Sequence, residues 1–141
     1  MPEEKTRELV QYFIDNVEAQ TYENVYAKLN PDGRFIMIGK TPASGIFFNR
    51  EDVFNRLAPL LANYKNRPAI AFSHVLVDGD QAFLRASGKG EGIYGVYEQP
   101  YYGYYFRVEG DGYAEIIEYL DTVQLEVALF GTKMTRLPEY E

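Results

Sequence analysis

The sequence of 141 residues contains no cysteine, which excludes disulfide frameworks, thiolate zinc sites, iron–sulfur clusters and cysteine nucleophiles. Its single histidine, His74, excludes any metal site built on two or more histidines. Tryptophan is absent as well. Basic residues are few: 14 Lys and Arg against 21 Asp and Glu leave a net charge of −7, the wrong sign for nucleic acid or an anionic membrane. No apolar run approaches the ~18 residues of a membrane-spanning helix. The segment from Met1 to Glu8 is charged and lacks the apolar core of a signal peptide. No phosphate loop, nucleophile elbow or metal-spaced carboxylate cluster occurs. The glycine-rich Gly88-Lys89-Gly90-Glu91-Gly92 follows a strand pattern and does not open a helix. The expectation is a cytoplasmic protein with no cofactor, no metal, and neither nucleic acid nor membrane as partner.

What is present is ordinary globular composition, 46% apolar and 25% charged, in a chain of single-domain length. A domain of this size buries roughly two thirds of its unfolded surface without help from crosslinks. The aromatic content stands out. There are 13 tyrosines and 9 phenylalanines, and eight of the tyrosines fall between Tyr94 and Tyr119. Tyrosine joins a large apolar face to a polar tip. A strand region this rich in it is an interface, the wall of a pocket for a ring-containing ligand, or a set of strand formers on half-buried faces.

Leu9, Val10, Phe13, Ile14 and Val17 recur at helical spacing after the acidic start at Glu3 and Glu4. A shorter stripe, Tyr22, Val25, Tyr26 and Leu29, ends at the turn residues Asn30-Pro31-Asp32-Gly33. Arg34 to Ile38 is β-like, Thr41 to Gly45 is a loop, and Ile46 to Phe48 can form a short strand. Asn49 and Asp52 form a capping-box pattern, and Val53, Phe54, Leu57, Leu60 and Leu61 face one side of a third helix. Pro59 predicts a kink or an early end there. Ala69 to Val77 and Gln81 to Ser87 flank the hairpin turn Asp78-Gly79-Asp80. Tyr101 to Val108 and Tyr113 to Asp121 flank Gly110-Asp111-Gly112. Gly88 to Pro100 reads as a mobile connection or a strand broken by bulges. Thr122 to Phe130 closes the chain with a short helix or turn. Helices followed by antiparallel strands imply an α+β fold, with helices on one face of a curved sheet and a conical cavity between.

These residues carry a resemblance. The order of two N-terminal helices, the loop ending in Ser44-Gly45, the helix opened by Asn49-Arg50-Glu51, the run Phe106-Arg107-Val108 with Gly110-Asp111-Gly112, and Glu118-Tyr119-Leu120-Asp121-Thr122 resemble the nuclear-transport-factor-2-like superfamily, and more narrowly a SnoaL-like domain. The resemblance runs from about Leu9 to Gly131 and implies one domain over residues 1–141, a cone-shaped α+β barrel. The superfamily includes ketosteroid isomerases, limonene-epoxide hydrolases, polyketide cyclases and non-enzymatic binders. The last third is also similar to the phenazine-biosynthesis proteins PhzA and PhzB, through Gly88-Lys89-Gly90, the aromatic segment Tyr101 to Phe106, Glu118-Tyr119, Gln124 and Ala128-Leu129.

The resemblance implies that Glu118, flanked at period two by Ile116 and Leu120, faces the pocket and does acid–base work. Desolvation there raises a carboxyl toward the useful range near neutrality. A buried Arg85 requires a partner, and Glu118 is the natural one. The epoxide-hydrolase pattern fails: Arg85-Ala86-Ser87 lacks its acid, and Phe35 to Ile38, where the attacking water is held, are apolar. The isomerase pattern puts its base at Met37 or Ile38, which take no proton, and its acid at Tyr104, which can still donate to an oxyanion. Arg56 stands where the phenazine proteins carry a histidine. Asp121 matches the acid of some polyketide cyclases and is equally a helix cap. His74 shares a period-two face with Ile70, Phe72 and Leu76, as a packed core histidine or a catalyst. Tyr102, Tyr104 and Phe106 share one strand face; with Phe83, Ser87 and Tyr12 they form the expected ligand-contacting set. The expectation is a cofactor-independent acid–base enzyme of isomerase, cyclase or lyase type, with Glu118, Arg85, His74 and Asp121 as catalytic candidates and a small apolar or aromatic ligand. The alternative is a non-catalytic binding or dimerising module. Ala114, Ile116 and Leu120 lie on one face of the last strand and Tyr113, Ile117 and Tyr119 on the other; the second apolar face predicts a homodimer through the sheet.

Overall fold

A computed structural model describes residues 2–141, so Met1, part of the charged N-terminal segment, lies outside the described residues. The first helix, α1 (Pro2–Glu18), turns its stripe of Leu9, Val10, Phe13, Ile14 and Val17 into the core, where all five are buried. A positive φ of 61° at Gln20 breaks the chain before the short α2 (Tyr22–Tyr26). Then follow β1 (Leu29–Met37), β2 (Gly45–Phe48) and a helical segment in three parts: α3 (Asn49–Asp52), a π-turn (Val53–Leu57) and α4 (Ala58–Leu61). Pro59 sits in the first turn of α4, where its missing N–H leaves no bond unmade, and the helix is re-wound just before it. The remaining elements are β3 (Tyr64–Asp78), β4 (Gln81–Gly92), β5 (Gly95–Glu109), β6 (Gly112–Tyr119) and α5 (Thr122–Phe130).

The six strands form one sheet in the order β2-β1-β6-β5-β4-β3, antiparallel throughout except for the parallel pair β1–β6. The fold is α+β, with α1 and α2 against the inner face of the sheet. Phe13 is the centre of that contact, edge-on to Tyr104 at 5.1 Å and to Phe106 at 4.7 Å between ring centres.

Two segments differ from the sequence reading, and a third decides between its alternatives. Asn30 to Gly33, expected as a turn between elements, is an irregular part of β1 where the register against β6 shifts. Gly88 to Pro100 takes the second of its two expected forms, a strand broken by a bulge: β4 and β5 continue as a paired hairpin to a tip at Ile93 and Tyr94, with one register shift between Ala86 and Gly88. Tyr113, expected on the outer face, is fully buried. A register shift between Arg107 and Val108 turns it inward, where its hydroxyl donates to the Leu9 carbonyl at 2.6 Å. Among the described residues no helix is long and apolar enough to cross a membrane.

Candidate functional site

The helices and the sheet leave a cavity of about 130 Å³ between them, close to the ~150 Å³ of an engineered apolar cavity that takes up benzene. The helical wall consists of Phe13 and Val17 from α1, Tyr22 and Tyr26 from α2, and Phe54, Ala58 and Leu61 from the π-turn and α4. Phe35 and Met37 of β1, Ile70 of β3, and Tyr102 and Tyr104 of β5 form the wall on the sheet side. Two exposed charged residues, Glu23 and Arg67, stand at the mouth.

One carboxyl faces this apolar interior, that of Glu118 on β6. The sheet register places it between Met37 of β1 and Tyr104 of β5, both buried. Glu118 is partly accessible, through the cavity, and the apolar walls remove most of its hydration. Desolvation raises its pKa from 4.5 to about 7, against a smaller downward pull from its hydrogen bond with the Tyr104 hydroxyl. Burial pushes the Tyr104 phenol well above its usual range, with the Glu118 charge adding to the rise, so Tyr104 stays a neutral donor. The pair is a carboxyl that gains or loses a proton near neutrality and a fixed O–H beside it.

A second polar cluster braces the wall behind Tyr102. The Tyr102 and Tyr97 hydroxyls lie 2.9 Å apart, and the Gln99 side-chain amide donates to the Tyr97 oxygen at 3.1 Å. Gln99 is fully buried, and both ends of its amide are fixed by the backbone of Asp121: the Asp121 N–H donates to its carbonyl oxygen and its N–H donates to the Asp121 carbonyl, each at 2.8 Å. Tyr64, at the cavity edge, packs edge-on to Tyr97 at 5.1 Å between ring centres.

The structure brings together Glu118, Tyr104 and Tyr102 and places the other expected residues elsewhere. Arg85 is exposed on the outer face of the sheet with its guanidinium 5.9 Å over the Tyr101 ring, so it is not the buried partner of Glu118. His74 is exposed beside it, paired with Arg85 across β3 and β4. A register shift between Phe72 and His74 is the reason: one extra residue, Ser73, turns the strand over, so Ile70 and Phe72 face inward while His74 and Leu76 face out. The Ser73 hydroxyl lies 3.0 Å from the imidazole Nδ1. Asp121 caps α5, its carboxylate accepting from the Val123 N–H at 3.0 Å. Ser87 is exposed on the outer face, and Phe83 is half-buried there against Tyr119. Phe106 is core, packed on Phe13 and outside the cavity lining. Tyr12 lies outside the lining too, with Lys28 over its ring at 5.3 Å.

The sequence reading missed Tyr22, Tyr26, Tyr64 and Arg67. The two α2 tyrosines were visible as a helical stripe and indistinguishable from core. Tyr64 and Arg67 fall in the part of β3 that precedes the recognisable run at Ala69, where nothing local marks a strand.

Neither a family model nor a curated protein matches this sequence. The fold does recur among solved structures. A protein from Jannaschia sp., assigned as a SnoaL-like polyketide cyclase, superposes with a TM-score of 0.73 over 94% of this chain and 96% of its own, at 15% identity. TerC, co-crystallised with polyporic acid, superposes with a TM-score of 0.75 over 89% of this chain and 98% of its own, at 12% identity. A phenazine biosynthesis-related protein from Pseudomonas aeruginosa gives 0.71 over 97% of this chain and 88% of its own, at 16% identity. The chain therefore shares the fold of these proteins, which is also that of solved nuclear-transport-factor-2-like proteins.

Proposed function

We propose that the chain binds a small apolar cyclic or aromatic compound in the cavity, and that Glu118 moves a proton to or from it without a cofactor, in a reaction of isomerase, cyclase or lyase type. The observation that carries this is the placement of one carboxyl in an apolar, ring-sized cavity beside a neutral hydroxyl donor. A polar acid at such a position weakens the fold, and proton transfer gives it a use. Glu118 acts as the base, and Tyr104 holds it or donates to oxygen on the ligand as negative charge develops there. Arg85, His74 and Asp121 have no part in this reading, because they stand outside the cavity. The co-crystallised polyporic acid of TerC and the cyclase assignment of the Jannaschia protein support a ring-containing ligand.

A general α-proton probe tests the reading. Deuterium exchange of 2-tetralone in D₂O, followed by NMR, is expected to be faster with the protein than in buffer. The deprotonated form of Glu118 is the active one, so the rate rises about tenfold per pH unit on the acid side and levels off above about pH 7. Glu118→Gln is expected to lower the protein-dependent rate by about 10²–10⁴. Binding of the ketone with no exchange at any pH supports instead the non-catalytic module.

The same reading includes a homodimer through the outer face of the sheet. Leu76 is 66% and Tyr101 73% exposed there, and Phe83 and Tyr119 lie on the same face. Two copies related by a two-fold axis cover this patch with itself. Sedimentation at micromolar concentration is expected to give twice the chain mass of 16.2 kDa, and Leu76→Glu with Tyr101→Glu to give the monomer. A wild-type monomer removes the dimer from the proposal.

A further inference from the structure

Arg67 is a cation at the mouth of the cavity. It stands at the start of β3, exposed, on the rim of the cavity. Among the described residues it makes no ion pair, although many other cations on this acidic surface do: Lys5, Arg7, Arg34, Arg56, Lys65, Lys89 and Arg107 all reach a carboxylate. Glu23 lines the same rim and lies beyond ion-pair distance. What Arg67 does have is a seat. Its guanidinium lies 5.3 Å from the centre of the Tyr22 ring, another rim residue. One terminal nitrogen points to the Gln20 carbonyl at 3.5 Å, and the Gln20 side chain reaches back to the Arg67 and Pro68 carbonyls at the same distance. A guanidinium held over a ring still has N–H groups beyond the one aimed at Gln20, and these can meet the oxygens of an anion.

Resting on the cavity reading above, we infer that Arg67 is a specificity-determining residue that receives a carboxylate on the ligand. The ligand is then an aromatic or alicyclic acid whose ring enters the cavity and whose carboxylate stays at the mouth. The two ends divide the recognition. The apolar walls take the ring, and Tyr22 and Arg67 hold the acid where water still reaches it, so the anion is not desolvated in the interior beside Glu118. Glu23 on the same rim opposes any anion, so only a group placed against the Arg67 side gains from it. That makes chain length between ring and carboxylate the discriminating variable.

The experiment uses benzoate, phenylacetate, 3-phenylpropanoate and 4-phenylbutanoate, each beside its neutral primary amide, titrated calorimetrically at one pH near 6. At least one acid is expected to bind about five- to tenfold tighter than its amide, with a clear optimum in chain length. In Arg67→Gln the acid falls to the affinity of the amide while the amide is unaffected, and Arg67→Lys keeps part of the preference. Amides that bind as well as their acids in the wild type overturn the inference and leave the cavity reading standing. An acid preference that survives in Arg67→Gln does the same. If neither acids nor amides bind, both the cavity reading and the inference fail.

Discussion

Replacing Glu118 by glutamine is expected to make the protein more stable at pH 8, by about 3 kcal/mol, and to change little at pH 4. In the folded state the Glu118 carboxyl has a pKa of about 7 against an ordinary 4.5. Below about pH 4.5 the group is protonated in both states and places no load on the fold. As pH rises from there, the unfolded chain ionises and the folded one does not, so stability falls. The loss is complete once the folded group has ionised as well, above about pH 7. A gap of roughly 2.5 units corresponds to about 3 kcal/mol. Glutamine cannot ionise, keeps the shape of the side chain and can still meet the Tyr104 hydroxyl. For a domain of this size the gain appears as a melting temperature higher by about 10 °C at pH 8. Thermal denaturation of both proteins from pH 4 to pH 9 checks it. An equal offset at every pH means that Glu118 is not desolvated, and the case for it as a base near neutrality then falls too. The expected pattern, stability gained where activity is lost, is the ordinary relation between a strained functional group and its fold.

The sequence revealed the elements better than the faces. The stripe of α1 was readable because a run of five apolar residues at helical spacing has one stable solution, burial of that side. The turns at Gly79 and Gly110, whose φ values are 61° and 62°, were readable because Asp78-Gly79-Asp80 and Gly110-Asp111-Gly112 are both short runs of turn residues between strand patterns. Glu118 was placed in the pocket by the resemblance, since the period it shares with Ile116 and Leu120, both buried, leaves a solvated face open as well. The positions of His74 and Tyr113 were not readable. Each lies just past a register shift, and one added residue reverses every side chain that follows. Ser73 and Ala114 carry no local mark of a bulge, since the shift is set by how β3 and β6 fit their partners. Arg85 failed for a different reason. The alternation of Leu84, Arg85 and Ala86 was plain, but which phase faces the helices depends on packing that lies far away in the chain. The cavity mouth was the least visible part: Arg67 and Tyr22 meet only because α2 and the start of β3 converge.

The glycine run on β4 has its own expected result, and it is structural. Gly88, Gly90 and Gly92 fall at period two and share the inner face, where a side chain has no room. A methyl group on Gly92 would stand 2.2 Å from the Ala128 carbonyl oxygen and 3.1 Å from Leu129 Cδ1. That carbonyl already accepts the Tyr94 N–H at 3.0 Å, and the Asn63 side chain donates to the Leu129 carbonyl at 2.9 Å, so the end of α5 is latched to the hairpin tip. Gly92→Ala must push α5 outward by more than an ångström, break the Tyr94 bond and expose part of Leu129, which is fully buried. A loss of at least about 3 kcal/mol is expected, at the upper end for overpacking because backbone and not side chain has to move. Gly88→Ala meets softer neighbours, the Tyr102 ring at 2.8 Å and Ile70 Cγ1 at 3.2 Å. It is expected to cost about half as much in stability, because those side chains can turn aside. Its larger effect falls on the cavity, since Tyr102 and Ile70 are both part of the wall. Denaturant midpoints of the two variants, read together with their affinity for one of the phenylalkanoate probes, separate the effects. Gly92→Ala should lose stability first and Gly88→Ala binding first; equal stability losses would mean that α5 yields as easily as a side chain does, and that the latch at Ala128 does not hold it.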